Sequence, residues 1–430
     1  MTSGASKWTC KTAMLGMTAL LACLLALTDS IGAAHSENKA LAPQRLFRIV
    51  NTETTDLNPE QIKALERIKK LPSTAAPKEV AVAKFQDSVL SDATVPRLLM
   101  LPLNKTKELS MEDYQVAPAG EDRKVLEWKG KEDDESVILS ASGKSVTGLI
   151  YSANKVYSVE PLGKGLHAIV QIDQTKFLND HIKETSPHEK KVDKDGLDRN
   201  KLSLPTAKTP AVIRVLVAYT PKVEELRNGG LDSLITGSID LTNASYLHSQ
   251  IHLRLELAHS VKVDYKESSD IDQDLAWFQA NNEVRKLRKT YNADVCVLLI
   301  NSDDAQTGSS AAVLADKDHA FSVVEHDAAV RFLSFPHEIG HLQGARHDPD
   351  WDHTVDTVYP YDHGYVNPQG GWVTIMAYPS KDNPTRISYW SNPNVKYPPG
   401  ASGKPTGTTT DHNNARVLNE TAGTVSAFHP

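Results

Sequence analysis

The run His337-Glu338-Ile339-Gly340-His341-Leu342-Gln343-Gly344-Ala345-Arg346-His347-Asp348 decides how the rest of the chain is read. It carries three imidazoles and a carboxylate in the pattern H-E-x-x-H-x-x-G-x-x-H. His337 and His341 stand four apart, so on a helix they share one face and can hold one ion together. Glu338 follows the first of them, close to the ion without being needed as a ligand, which suits a base acting on a metal-activated water. Gly344 lets the chain leave the helix through left-handed backbone, and the turn returns His347 as a third ligand. A fourth position stays open, the property that separates a catalytic zinc site from a closed structural one.

These twelve residues resemble the zinc signature of the metzincin metalloendopeptidases. Asp348, directly after the third histidine, is similar to the reprolysin-like branch, where an Asp in that place supports the motif. Thr374-Ile375-Met376-Ala377-Tyr378 resembles the Met-turn that metzincins place below the metal. The resemblance gives Met376 a packing role and makes Tyr378 a candidate oxyanion group or fifth ligand, as in the astacin and serralysin branches, with plain packing as the alternative. The tail Arg386-Ile387-Ser388-Tyr389-Trp390-Ser391-Asn392-Pro393-Asn394-Val395, followed by Asn414-Ala415-Arg416-Val417-Leu418-Asn419-Glu420-Thr421-Ala422, is most similar to bacterial secreted peptidyl-Asp metalloendopeptidases. The resemblance extends over residues 210–430. It implies one catalytic Zn2+, protein or peptide substrates, and cleavage on the amino side of acidic residues. That last property needs a cation in the specificity pocket, for which Arg386 is the candidate; the plainer role for Arg386 is pairing with a nearby carboxylate.

With 430 residues the chain has room for two domains, each with its own core. A net charge of −7 without a long basic block leaves no electrostatic footprint for nucleic acid. Residues 1–34 read as an export signal: Lys7 and Lys11 precede an apolar run at 14–27, and Gly32-Ala33-Ala34 offer a cleavage site. That run is short for a membrane span, so the expectation is a secreted protein with no membrane contact once the signal is cut. Cys10 and Cys23 leave with the signal, and Cys296, in the apolar run 293–300, reads as a buried structural thiol.

Residues 35–178 read as a mixed, largely β propeptide domain, an intramolecular chaperone and inhibitor, with a permanent accessory or binding domain as the alternative. Ile62, Leu65, Ile68 and Leu71 form one helical stripe. Short strands follow at 136–140, 145–152, 155–160 and 166–172, broken at Gly143, Asn154 and Gly163-Lys164-Gly165. The resemblance to metzincins, many of whose propeptides block zinc with a cysteine, implies another ligand or steric cover for latency here, since this region has no cysteine. Residues 179–210 are polar and charged, a linker with the processing site.

Residues 211–430 read as the catalytic domain, an α/β (α+β) metzincin-type fold with upper and lower lobes. Strands at 211–218, 252–263, 294–300 and 320–325 alternate with helical sequence at 220–249, broken at Gly229-Gly230, and at 271–291. The strand 320–324 is expected to line the cleft as an edge that pairs with substrate. Pro336 either opens the zinc helix or kinks it. Asp348, Asp350, Asp352 and Asp356 are a weak calcium candidate and read better as a solvated acidic loop. His353 and His363 read as surplus imidazoles, and 413–428 as a terminal helix. Two further readings stay open. One is a broad-specificity astacin- or serralysin-like protease, which Asp348 opposes and Tyr378 partly favours. The other is a secreted binding protein with zinc as a staple, which has no use for Glu338.

Overall fold

The computed structural model describes residues 43–53, 56–70, 77–91, 98–120, 122–130, 135–173, 209–302, 308–354, 358–380 and 385–429. The export-signal features, Cys10, Cys23, Leu71, Asp356 and the linker up to residue 208 lie outside them.

The N-terminal region is built on an eight-stranded sheet in the order Phe47–Ile49, Pro77–Phe85, Leu166–Ile172, Lys155–Gly163, Ser145–Ser152, Ser136–Ser142, Arg123–Lys129, Gln115–Pro118. Its four central strands are those expected from the sequence, all antiparallel, with Val156 opposite Ile172 and Tyr157 opposite Ile150. Turn chemistry holds as read: Gly143 and Asn154 both take left-handed backbone, at φ 53° and 56°. The helix Pro59–Lys69 opens with a capping box between Asn58 and Gln61. Its buried stripe is shifted from the expected one. Leu65 and Ile68 are buried, but Ile62 is 44% exposed and Gln61 is buried instead. The reason is polar: Gln61 accepts from the Asn58 N–H and donates to the Gly163 carbonyl, both at 3.0 Å, and that pair turns the helix about its axis.

The C-terminal region carries a five-stranded sheet in the order Leu253–Lys262, Ala211–Tyr219, Val295–Ile300, Phe321–Glu325, Gly308–Ser310. Its first four strands run parallel and the last antiparallel, with Ser309 opposite Val323. The expected edge strand is therefore an inner one. Phe321–Glu325 is covered by Gly308–Ser310, a three-residue strand of small side chains that has no periodicity to read. Cys296 is buried in the central strand, and burial pushes its thiol up to about 12, which makes it inert.

Thr220 caps the helix Pro221–Leu226 by accepting from the Val223 N–H at 3.2 Å. After Gly229-Gly230 the chain re-enters a helix at Leu231–His248. The stretch expected as one helix at 271–291 is two, Ile271–Ala280 and Asn282–Thr290. Asn281 leaves helical geometry and caps the second by accepting from the Glu283 and Val284 N–H groups at 2.9 and 3.1 Å. Past the zinc motif regular structure is sparse until Asn414–Val425.

One hydrophobic cluster spans both regions. Ile138, Leu149, Tyr151, Val156 and Ile172 of the N-terminal sheet share it with Ile235, Ile239, Val330, Ile339, Met376 and Trp390. Among the described residues no helix is long and apolar enough to cross a membrane.

Candidate active site

The helix Ser334–Leu342 carries the first two histidines of the motif. Leu333, in left-handed backbone at φ 57°, starts it abruptly. Pro336 then falls in the first turn, where a helix has no use for its N–H, so it begins the helix and does not kink it. The helix ends at Gly344, whose φ of 99° permits a paired terminus: Gly344 N–H donates to His341 O and Ala345 N–H to Gly340 O, both at 2.9 Å. This reversal brings His347 back over the helix.

The three imidazoles converge. Their Nε2 atoms are separated by 3.2 Å (His337–His341), 3.1 Å (His337–His347) and 2.9 Å (His341–His347). His337 Nδ1 donates to the Ile375 carbonyl and His341 Nδ1 to the Ala345 carbonyl, each at 2.9 Å. Those bonds fix the tautomers and aim two Nε2 lone pairs at one point. Burial pushes His341 down to about 4, so it is neutral at physiological pH. Lone pairs facing one another repel unless a cation lies between them. A tetrahedral zinc with arms of about 2.05 Å needs ligand separations of about 3.3 Å, close to those present. These residues fit zinc.

Ile375 belongs to the turn closed by Ala377 N–H to Thr374 O at 3.0 Å. Met376 is fully buried against the helix: a Cβ added to Gly340 would stand 2.9 Å from its Sδ and 2.6 Å from the Trp390 ring. The turn therefore packs on the helix at Gly340 and orients one imidazole, that of His337. Tyr378, just beyond, places its hydroxyl 2.9 Å from His347 Nε2. Asp348 accepts from the Tyr378 N–H at 2.9 Å, so the residue after the third histidine anchors the turn. Asp352 pairs with Arg346 at 3.2 Å. The acidic loop is thus not simply solvated, because two of its carboxylates are committed to the protein. His353 is exposed and bonds the Pro349 carbonyl; His363 is buried, its Nδ1 2.6 Å from the His347 carbonyl. Neither joins the triad.

Glu338 is buried beside the triad. Burial pushes its carboxyl up to about 8, against the pull of a hydrogen bond from Ser310 and the charge of Arg386. Ser310 Oγ donates to Glu338 Oε2 at 2.7 Å. At Gly308 any Cβ would collide with the Glu338 carboxylate, so the edge strand lies directly on this side chain. The sequence reading missed Gly308 and Ser310, since Gly-Ser-Ser carries no signal beyond smallness.

Arg386 is buried at 5% exposure and donates to the carbonyls of Phe332 and Ala377, both at 3.0 Å. Its guanidinium carbon lies 6.0 Å from the centre of the Tyr378 ring, and burial lowers its pKa to about 10, leaving it charged at neutral pH. Tyr151 of the N-terminal sheet donates to the Arg386 carbonyl at 3.3 Å.

A mixed α/β layer with three converging imidazoles and a buried glutamate defines a metallopeptidase, and the profile of Metallo-peptidase family M12 matches residues 209–391. A peptidyl-Asp metalloendopeptidase of Stenotrophomonas maltophilia is 33% identical over 388 residues, covering 85% of this chain and 89% of that protein. One from Xanthomonas campestris is 35% identical over 298 residues, covering 68% and 70%. A third, from Pseudomonas fragi, is 33% identical over 189 residues, covering 44% of this chain and 99% of that protein. The chain belongs to this family and is a zinc metalloendopeptidase.

Proposed function

We propose that the chain is exported, that His337, His341 and His347 hold its zinc, and that Glu338 is the general base of peptide hydrolysis before aspartate. The convergence of three Nε2 atoms beside a buried glutamate carries the reading. Zinc held there supplies the Lewis acidity that makes water a nucleophile at neutral pH and polarises a carbonyl. Glu338 accepts the proton of the attacking water and returns it to the leaving amine, and the charge of a zinc ion held beside it would favour the ionised form that burial opposes. Tyr378, with its hydroxyl on His347, is placed to donate to the oxyanion that develops. Gly308–Ser310 ends the sheet order, and an extended substrate adds to it as a further antiparallel strand.

Arg386 is the cation for an acidic side chain following the cut. It is charged, and the carbonyls of Phe332 and Ala377 hold its guanidinium. The aspartate preference in the relatives' name supports this. The cleft lies between an upper lobe, formed by the sheet and the zinc helix, and a lower lobe after Gly344. Residues 1–34 act as the export signal, 35–178 as the propeptide, 179–210 as the processed linker, and 211–430 as the catalytic domain.

The test is a mass-spectrometric map of every bond cut in a denatured protein mixture, with Glu338→Ala as control. Cuts that vanish in the variant and cluster before Asp are expected. Cuts that vanish but scatter would discard the acidic preference, and cuts that persist would remove Glu338 from the mechanism.

A further inference from the structure

Three consecutive residues of the edge strand engage their surroundings in three different ways. Gly308 leaves the space that the Glu338 carboxylate fills. Ser309 points to the other side of the strand and donates to Asp272 Oδ1 at 2.8 Å, tying the strand to the helix Ile271–Ala280. Ser310 returns to the first side, where its Oγ lies 2.7 Å from Glu338 Oε2 and 2.9 Å from the Glu338 carbonyl oxygen. The metal ligands use none of these contacts.

We propose that Ser310 is a positioning residue, holding the Glu338 carboxylate in register with the substrate strand. The inference rests on the reading of Glu338 as the base. A glutamate has three side-chain torsions, and a hydrogen bond to its charged end is the strong kind that fixes them. The hydroxyl has one hydrogen and faces two acceptors of the same residue. A substrate paired to this strand is thereby referenced to the residue that holds the base. Misplacement by about an ångström is enough to lose two orders of magnitude in rate.

The experiment compares wild type, Ser310→Ala, Ser310→Thr, Ser309→Ala and Glu338→Ala on a quenched peptide with an internal aspartate. Bound zinc and thermal midpoint are measured on each protein. Ser310→Ala should lower kcat about ten- to a hundredfold, with KM within about twofold and zinc content unchanged. Ser310→Thr, which keeps the hydroxyl, should restore kcat to within about threefold. An equal loss of kcat in Ser309→Ala would overturn the proposal, because it would mean that the strand's anchorage matters and the hydroxyl on Glu338 does not. So would a Ser310→Ala protein with wild-type kcat while Glu338→Ala is inactive. An active Glu338→Ala would instead sink the reading of the base, and the proposal with it.

Discussion

Replacing Glu160 by Gln tests the seam between the two regions. Glu160 is 6% exposed on the strand Lys155–Gly163. It faces Arg227 at 3.2 Å, Arg67 at 3.5 Å, and Arg331 more closely still. Burial alone would raise its pKa, but Arg331, Arg227 and Arg67 overcome that and hold it at about 2, against an ordinary 4.5. The difference of 2.5 units corresponds to about 3 kcal/mol at 1.36 kcal/mol per unit. Breaking a buried pair by removing one partner costs about 3–5 kcal/mol, in agreement. The carboxylate is depressed, so its contribution is complete above pH 4.5 and fades as pH falls towards 2. Urea unfolding of the full chain should therefore show Glu160→Gln less stable by about 3 kcal/mol at pH 7 and by about 2 kcal/mol at pH 3.5. Adding Arg331→Met, which removes the stranded cation, should recover part of the loss. A deficit below about 1 kcal/mol at pH 7, or one that does not change with pH, would show that Asp327 neutralises the arginines without Glu160.

His167 is fully buried, accepts from the Val146 N–H at 2.9 Å, and is pushed down by burial to about 3. Because the unfolded chain takes a proton near 6.5 and the folded chain does not, stability falls as pH drops from 6.5 towards 3. His167→Gln should lose about 2 kcal/mol less than wild type between pH 7 and pH 5 in urea melts, and parallel losses would contradict this. Gly340→Ala forces a methyl against Trp390 and Met376 inside the zinc helix. It should cost about 1–3 kcal/mol in thermal melts and lower zinc occupancy with it. Chelation should abolish cleavage and lower the melting temperature. Free zinc at about a thousand times its Kd should return about 4 kcal/mol, and a melt indifferent to chelator would contradict ligation by the triad. Arg386→Ala should spread cleavage beyond bonds preceding aspartate; an unchanged map would remove Arg386 from the pocket.

What the sequence made legible follows from where the information was local. Histidines at i and i+4 and a glycine three residues on specify a helix and its reversal without further context, and His337, His341 and His347 meet as their spacing requires. The strands 145–152 and 166–172 were bounded by residues that favour positive φ, so their limits match the structure. Elsewhere the deciding contact was distant. Ile62 lost its place on the buried stripe to Gln61 because Gly163, far along the chain, offers a carbonyl there. The run 271–291 has one apolar period, and only Asn281's preference for capping divides it. Gly308–Ser310 takes its meaning entirely from Val323 across the ladder and Glu338 beneath it. No pattern in three small residues could announce that. Asp348 was placed by resemblance alone; its bond to the Tyr378 N–H supplies the physical reason.

The helix Leu231–His248 shows why the seam is hard to read from either side of it. Buried residues occur all round its surface, as expected of a helix packed on two faces. One face meets the active-site helix and Trp390: Tyr246 stacks on Trp390 with ring centres 5.5 Å apart, and its hydroxyl accepts from Gln343 at 2.8 Å. The other face is small and polar. Ser233 shares a hydrogen bond with Thr147 at 2.7 Å, and Gly237 lets Thr147 approach so closely that a Cβ there would stand 2.9 Å from its methyl. Asp240 accepts from Ser140 at 2.6 Å, and His248 meets Glu127 at 2.9 Å. These four positions fall on one stripe and all address the N-terminal sheet. A stripe of Ser, Gly, Asp and His can be hydrated if that sheet leaves, whereas Ile235 and Ile239, which share a hydrophobic cluster with Ile138 and Leu149, would lose apolar cover. Arg227 would keep Asp327 at 2.6 Å and His326 at 2.8 Å. Arg331 differs: the partner described for it across the seam is Glu160. The cost of separation is therefore shared by the Glu160–Arg331 and Arg67–Asp327 pairs and by the hydrophobic cluster that spans both regions.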